Sequence, residues 1–538
     1  MPITAADLKF FASEAMNDTA TGGGRRSGTA VLTGVENNVF PDLSADDVLQ
    51  GQTRARKLYP SAVSVDGAAL LGASVVLNAR PSDALVDMAL ALYGDDTTTR
   101  QQFMAGALPV PTISGSVEFI SGPAGQYVTL TNGSADVPIS ASGSREDFYV
   151  AAGSIVAFTE TASTGATPYH VAAVSAVDMP TGITGAITVT MSAAYAGATR
   201  TGYMFVLSFS ASPRVYGAAT TAAEAVATAT SVTLTLPMVR LVPAGATYPT
   251  VVLGIAPGGL RSSRGMAPVL AVGDIATLYN EAETAPAARV NTDVVNVGRT
   301  NLSQMALVDA NGDEVDRALA DGPAIDASFT VDLAAGTLTC VDVSGWAQPV
   351  SVRHRIEERV LLSAVDGISA TFNAALARTF AAGSILVSEV PLGDVQAGTG
   401  VQFSQQTWTK AWADTVIGSP VGALYGGVIG LQNDGAEADR WACVFSTATQ
   451  YTLHSERYGV VGTGNIGTDY VPLNPGTGQP LLTLYATGWV AGGISLGNVF
   501  RFNTSGAYGR VWALQCAGPG AGTGPSAALL RLRGSVDA

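Results

Sequence analysis

Charge is scarce in this chain. Only 13% of its 538 residues are charged, about half the ~25% usual in soluble domains, and lysine occurs only at Lys9, Lys57 and Lys410. The net charge of −15 repels phosphate backbones. No cluster of basic residues interleaved with aromatics overrides that repulsion, so no nucleic-acid partner is expected. Cysteine is equally sparse. Cys340, Cys443 and Cys516 lie far apart without CxxC or Cys/His spacing, which excludes a disulfide framework and a structural zinc site; buried small hydrophobes are expected instead. Long apolar runs suited to a membrane are also missing. Residues 481–500 are uncharged, but their four glycines with Thr and Asn make a poor span, so strands parted by a glycine turn are expected and membrane insertion is not. The opening MPITAADLKFFASEAMND has no basic region followed by an apolar one, and assembly in a cytoplasm is expected.

What is present is small-residue and apolar backbone: 61 glycines and 47% apolar residues. A chain of this length exceeds one core, so roughly three or four domains are expected. With few charges to cover it, part of the surface is expected to be buried against other subunits, which favours an assembly component, a homo-oligomer, over a free enzyme.

Thr4 followed by Asp7 resembles a capping box, and Leu8, Phe11 and Ala15 share a helical face, predicting a helix to about residue 16. Ser44 to Asp47 repeat the start signal before VLQGQTRARKLYP, predicting a second helix ended by Pro60. Between them TGVENNVFPDLS breaks regular structure, with Phe40 as a plug. Residues 82–108 fit either a helix or a strand. From about residue 110 onward, short Val/Ile/Thr/Phe/Tyr runs punctuated by Gly, Asn, Asp or Pro predict antiparallel β modules. Trp408, Trp412, Trp441, Trp489 and Trp512 fall near the end, with Trp346 alone upstream. The expected fold is therefore mainly β, with several antiparallel sandwich or barrel modules in series behind a short helical N-terminal segment. The expected divisions are a helical docking segment at 1–60, β-rich regions at 61–215 and 216–398, and a Trp-rich sandwich or jelly roll at 399–538.

Motifs with catalytic spacing fail on context. Gly493, Ser495 and Gly497 have the spacing of a nucleophile elbow, but no histidine follows Ser495, and NVFRFNTSGAYGRVWAL reads as strand, turn and strand. GTGNIG at 462–467 matches a dinucleotide fingerprint, but the prolines of TDYVPLNPGTGQP exclude the helix that would hold a pyrophosphate, so a loop is expected. Asp309, Asn311 and Asp313 imitate a calcium loop, but Glu314 replaces its glycine and Ala320 its bidentate Glu; Asn311-Gly312 predicts a hairpin instead. VRHRIEERV, read as a strand, puts Arg353, Arg355, Glu357 and Arg359 on one face, expected to meet solvent or another subunit. Asp434, Glu437, Asp439 and Asp469 are the carboxylates that a polysaccharide-cleaving enzyme could use. No cofactor or metal is expected.

Both ends of the chain resemble the large tail proteins of Mu-like and related long-tailed phages of proteobacteria. The resemblance rests on MPITAADLKFFASEAMNDT, GGGRRSG and GVENNVFPDLS near the N-terminus, and on FSQQTWTKAWADT, DRWACVF, NPGTGQP, GNVFRFNTSGA and LRLRGSVD near the C-terminus. It implies a non-enzymatic structural component of the virion tail, at the baseplate or tail tip, whose partners are other tail proteins and further copies in a trimer or hexamer. It brings no catalytic residues. Within this reading Glu36, Asn37, Asn38, Phe40 and Asp42 are expected to dock the protein into the tail, or else to plug its own interior. Trp408 and Trp412 are candidates for stacking against sugars of a host cell surface, the reading as a host-binding tail protein or fibre.

Overall fold

The computed structural model describes residues 3–32, 37–46, 52–79, 86–107, 270–312, 314–319, 329–366, 369–490, 492–517 and 528–536. It also describes short pieces at 81, 83, 214–216, 218–220, 224–234, 241–242 and 521–523, and the six strands between Val110 and Ser210. The protein is mainly β, with 49% of its residues in strands and 4% in helices, and among the described residues its sheets are antiparallel apart from one short parallel pairing, Arg200–Ser210 with Leu241–Val242.

The first sheet joins the two ends of the chain. Its order is Arg214–Tyr216, Val86–Leu92, Val511–Ala517, Gln52–Ala62, Leu8–Ala15 and Gly23–Val31. A three-stranded sheet of Val390–Val395, Leu70–Ala79 and Leu529–Val536 faces it across a shared core that includes Leu58, Val75, Leu90, Val511 and Leu532. The pairing thus cuts across the expected serial division. A 1–60 segment and a 399–538 domain do not stand apart, because Val511–Ala517 fills the gap between Gln52–Ala62 and Val86–Leu92.

The first expected N-terminal helix is a strand, and the second is helical only at its start, residues 45–46, before the strand Gln52–Ala62. The capping box of Thr4 and Asp7 forms, but it closes a single 3-10 turn, Ala5–Asp7, before Leu8–Ala15 extends. The helical spacing misled because this strand uses both faces: Phe10 packs on the shared core, while Phe11 lies under the Arg26 guanidinium on the other side. Gln52–Ala62 is likewise extended and runs through Pro60. The neighbouring strand ends at the Leu58–Val511 pair, so no ladder partner is lost where the proline lacks its N–H, and the Pro60 carbonyl accepts from Gly509 N at 2.8 Å.

Residues 93–213 leave the first sheet at one strand and return on its neighbour, since Leu92 pairs with Arg214. Within them Arg100–Ala107 forms a helix whose Phe103 stacks on Trp512 at 4.5 Å. Beyond it, the strand Arg200–Ser210 pairs both with Val110–Ile120 and with Ile155–Thr159. A larger sheet follows, centred on Ile275–Glu283, Ser351–Asp366 and Gln304–Val308. It packs on the small sheet Val294–Asn296, Thr337–Cys340 and Phe329–Asp332 around Met305, Leu307, Leu338 and Trp346. Gln304–Val308 and Glu314–Leu319 form the expected hairpin, with Gly312 at φ 85 and its N–H donated to Asp309 O. Finally, Gly398–Gln405, Val499–Ser505, Asp439–Phe445, Gln450–Ser455 and Gly459–Asn465 make a five-stranded sheet. Its core holds Trp441, Tyr451, Trp489, Phe500 and Phe502. GTGNIG therefore begins in an edge strand, not wholly in a loop, and Ser495 sits exposed in a turn that leads into the strand Val499–Ser505.

Candidate functional site

Ionic side chains, few as they are, concentrate where the sheets meet. Glu437, only 3% exposed, accepts from Arg26 Nη2 at 2.9 Å, Arg457 Nη1 at 3.1 Å, Tyr508 Oη at 3.2 Å and Asn474 Nδ2 at 3.2 Å. Arg457 also donates to Glu14 at 3.1 Å and to the carbonyl of Arg26 at 2.7 Å. The Arg26 guanidinium lies 4.5 Å from the Phe11 ring and 5.1 Å from the Tyr508 ring, a buried cation between two aromatic faces. Gly28 and Gly476 let the two backbones touch here, since a Cβ on Gly28 would stand 2.8 Å from Gly476 O.

This arrangement decides what the acidic quartet can do. Glu437 is occupied by two guanidiniums and two further donors, which fills a carboxylate's acceptor sites. Asp439 accepts from Ser455 Oγ and from the backbone N–H groups of Arg440 and Arg457, and burial pushes its pKa up. Burial also raises Asp434. Asp469 is exposed and caps Ala486 N at 2.8 Å. Glu437, Asp439 and Asp469 are each committed to their own local partners, and the residues that matter most here, Arg26 and Arg457, are ones that spacing arguments passed over.

Trp408 and Trp412 lie on the loop that follows Gly398–Gln405, not on a strand. Their ring centroids are 4.9 Å apart, and His454 meets Trp408 at 5.0 Å. Below them Arg501, 1% exposed, donates to the carbonyls of Ala411, Ala413 and Trp441, each at 3.2 Å. Its guanidinium stands 4.9 Å from the Trp412 ring. Asp414 closes the loop by accepting from Arg440 Nε and Nη2 at 2.7 and 3.0 Å and from Asn503 at 2.8 Å. Hydrogen bonds from Arg440 and Asn503 hold its carboxyl down at about 2. The two half-buried tryptophans are thus fixed on the surface by a buried arginine.

Of the expected docking residues, Glu36 lies outside the described residues. Asn37 turns the chain at φ 58, and Asn38 donates to Leu32 O. Phe40 packs against the shared core with the Arg56 guanidinium 5.5 Å from its ring. Asp42 is exposed, but its backbone carbonyl and that of Pro41 accept from Arg54. Phe40 is therefore engaged within its own chain, against a strand where a helix was expected.

The charged face of VRHRIEERV is split: Arg355 is buried and Glu357 half-buried, while Arg359 is exposed and Arg353 half-exposed, so only part of it meets solvent as expected. Arg355, 1% exposed, donates to Asn78 Oδ1 at 2.7 Å and Glu281 at 2.9 Å. Glu357 accepts from Arg533 at 2.7 Å, and Arg359 pairs with buried Glu389 at 2.9 Å. Burial raises Glu389, but hydrogen bonds from Ser74 and Thr277 and the charges of Arg533 and Arg359 more than reverse this. Because Asn78 and Arg533 belong to the three-stranded sheet, this face is the seam between that sheet and the middle of the protein. The cysteines behave as expected where described: Cys340 and Cys443 are buried free thiols, while the Cys516 side chain lies outside the described residues.

Comparison with known proteins finds no matching family model, no similar curated protein and no similar solved structure.

Proposed function

We propose that this chain is a structural subunit of a bacteriophage tail, at the baseplate or tail tip, assembled in the host cytoplasm into a symmetric homo-oligomer. One observation carries the reading. The segments that resemble phage tail proteins, separated by hundreds of residues, meet in one body. Glu14 of MPITAADLKFFASEAMNDT, Arg26 of GGGRRSG and Asn474 of NPGTGQP converge on Glu437 or on its partner Arg457. DRWACVF and GNVFRFNTSGA pair as neighbouring strands, and LRLRGSVD pairs with Leu70–Ala79. Such convergence is what a shared scaffold requires, with the loosely matching middle carried on it. The reading assigns the chain no catalytic step.

The test is genetic and biochemical. Particles purified from a host carrying this phage should contain the chain in fixed ratio to other tail proteins, and a nonsense mutation in its gene should leave particles without a complete tail end. Complete, infectious particles lacking the chain would overturn the reading.

The paired tryptophans favour a second reading, contact with host-surface sugars, because Trp408 and Trp412 form a held aromatic platform that is only half buried. Binding of the full chain to a glycan array, lost in Trp412→Ala, is its expected sign.

A further inference from the structure

We propose that the outer face built by residues 424–430, 469–473 and 483–490 is where a second copy of this chain binds; the inference deepens the reading as a subunit of a symmetric assembly. These three stretches run antiparallel. Ile429 pairs with Leu484, Tyr425 bridges Trp489, and Tyr470 bridges Leu484 with bonds of 3.0 Å in both directions. Their inner side chains, Ile429, Leu484 and Trp489, enter the aromatic core. The register sets Val428 opposite Tyr485 and Val471 opposite Thr483. Val428 is 80% exposed, with Tyr485, Val490, Val471 and Leu473 between 41% and 61%. Large side chains gathered this way on the solvent side mark a contact.

Charge identifies the occupant. Residues 415–433 and 470–492 contain no Asp, Glu, Lys or Arg, in a chain of net charge −15. Two such chains repel each other over most of their surfaces. A face without charge is where they can meet without setting like charges together or stripping ions of water. Asp469 stands at its rim and is capped by Ala486 N. A lipid headgroup or a nucleic acid would instead call for basic residues around the face, and these two stretches supply none. The Tyr485 ring lies over Gly430, where a Cβ would stand 2.7 Å from its hydroxyl. The glycine makes room for the ring to lie across the ladder as part of the contact.

Sedimentation velocity on the full chain, over a range of concentration and salt, tests this. The wild type should form an oligomer that strengthens as salt screens the repulsion between copies. Val428→Asp combined with Val490→Asp should abolish it with an unchanged melting midpoint, whereas Val290→Asp, 64% exposed elsewhere, should leave it intact. A wild type that stays monomeric, or an oligomer that survives the double substitution, would overturn the proposal. Should the double variant fail to fold, Tyr485→Ser is the second probe, with the same expected loss and the same contrary outcome. The tail reading fails separately: an oligomer using this face in a chain absent from virions would sink the tail assignment and keep the contact.

Discussion

Lys57 has no exposed surface, and its Nζ donates to the carbonyls of Asp95 and Asp96 at 2.6 and 2.9 Å beside the rings of Tyr59 and Trp512. Burial pulls its pKa from 10.5 down to about 8. Between those values the unfolded chain holds a proton that the folded chain has released, so stability contributed at this residue rises with pH across that window and is lowest below it. Relative to Lys57→Met, which does not titrate, the wild type should gain up to about 3 kcal/mol between pH 8 and 10.5, read from urea unfolding at each pH. Buried tyrosines act in the opposite sense: Tyr59 and Tyr508 are pushed up, and Tyr458 to about 12, by burial. They keep protons that the unfolded chain loses above about pH 10, so both forms should weaken there. Glu437 gives the larger single effect. Glu437→Ala leaves Arg26 and Arg457 without their buried partner and should cost about 3–5 kcal/mol, whereas loss of an exposed pair such as Arg440 with Asp414 should cost roughly 1 kcal/mol or less. Denaturant midpoints for the two variants should separate accordingly.

At the scale of elements, the module between Arg100–Ala107 and Arg214–Tyr216 leaves and rejoins the first sheet at two adjacent strands and has one further short pairing, with Leu241–Val242. Replacing residues 108–213 with a short Gly/Ser linker should therefore leave the remaining sheets folded, with the melting midpoint of the body changed little. Collapse of the whole chain on excision would show that the module is part of the core. Local signals explain which elements were readable. Asn311-Gly312 dictates its hairpin through a glycine at positive φ, and the alternation in VRHRIEERV fixes a strand. What that strand faces was not readable, because Asn78 and Glu389 reach it from distant sequence. The N-terminal helix was misread for a related reason: a strand apolar on both faces imitates helical spacing. Arg54, Arg56 and Lys57, in a segment expected to be helical, lie buried in a central strand where Asp18 and backbone carbonyls meet them.

For the whole molecule, the ends are inseparable. Val511–Ala517 pairs with Gln52–Ala62 and Val86–Leu92, and Leu529–Val536 with Leu70–Ala79, so the apparent C-terminal domain lacks partners for two of its strands when cut out. A fragment of residues 399–538 should aggregate or show no cooperative melting, while the full chain melts cooperatively. No local pattern announces such pairings, since the register is set by a core assembled from both ends. The shortage of charge was legible in the sequence; that many of the remaining charges are buried, Arg26, Arg355, Arg501, Glu389 and Glu437 among them, was not.

The central claim, a structural subunit of a phage tail, is tested most directly by immunogold electron microscopy of intact particles with antibody against the full chain. The account predicts gold clustered at the distal end of the tail. Gold on the capsid, or particles that carry none of the protein, would contradict it.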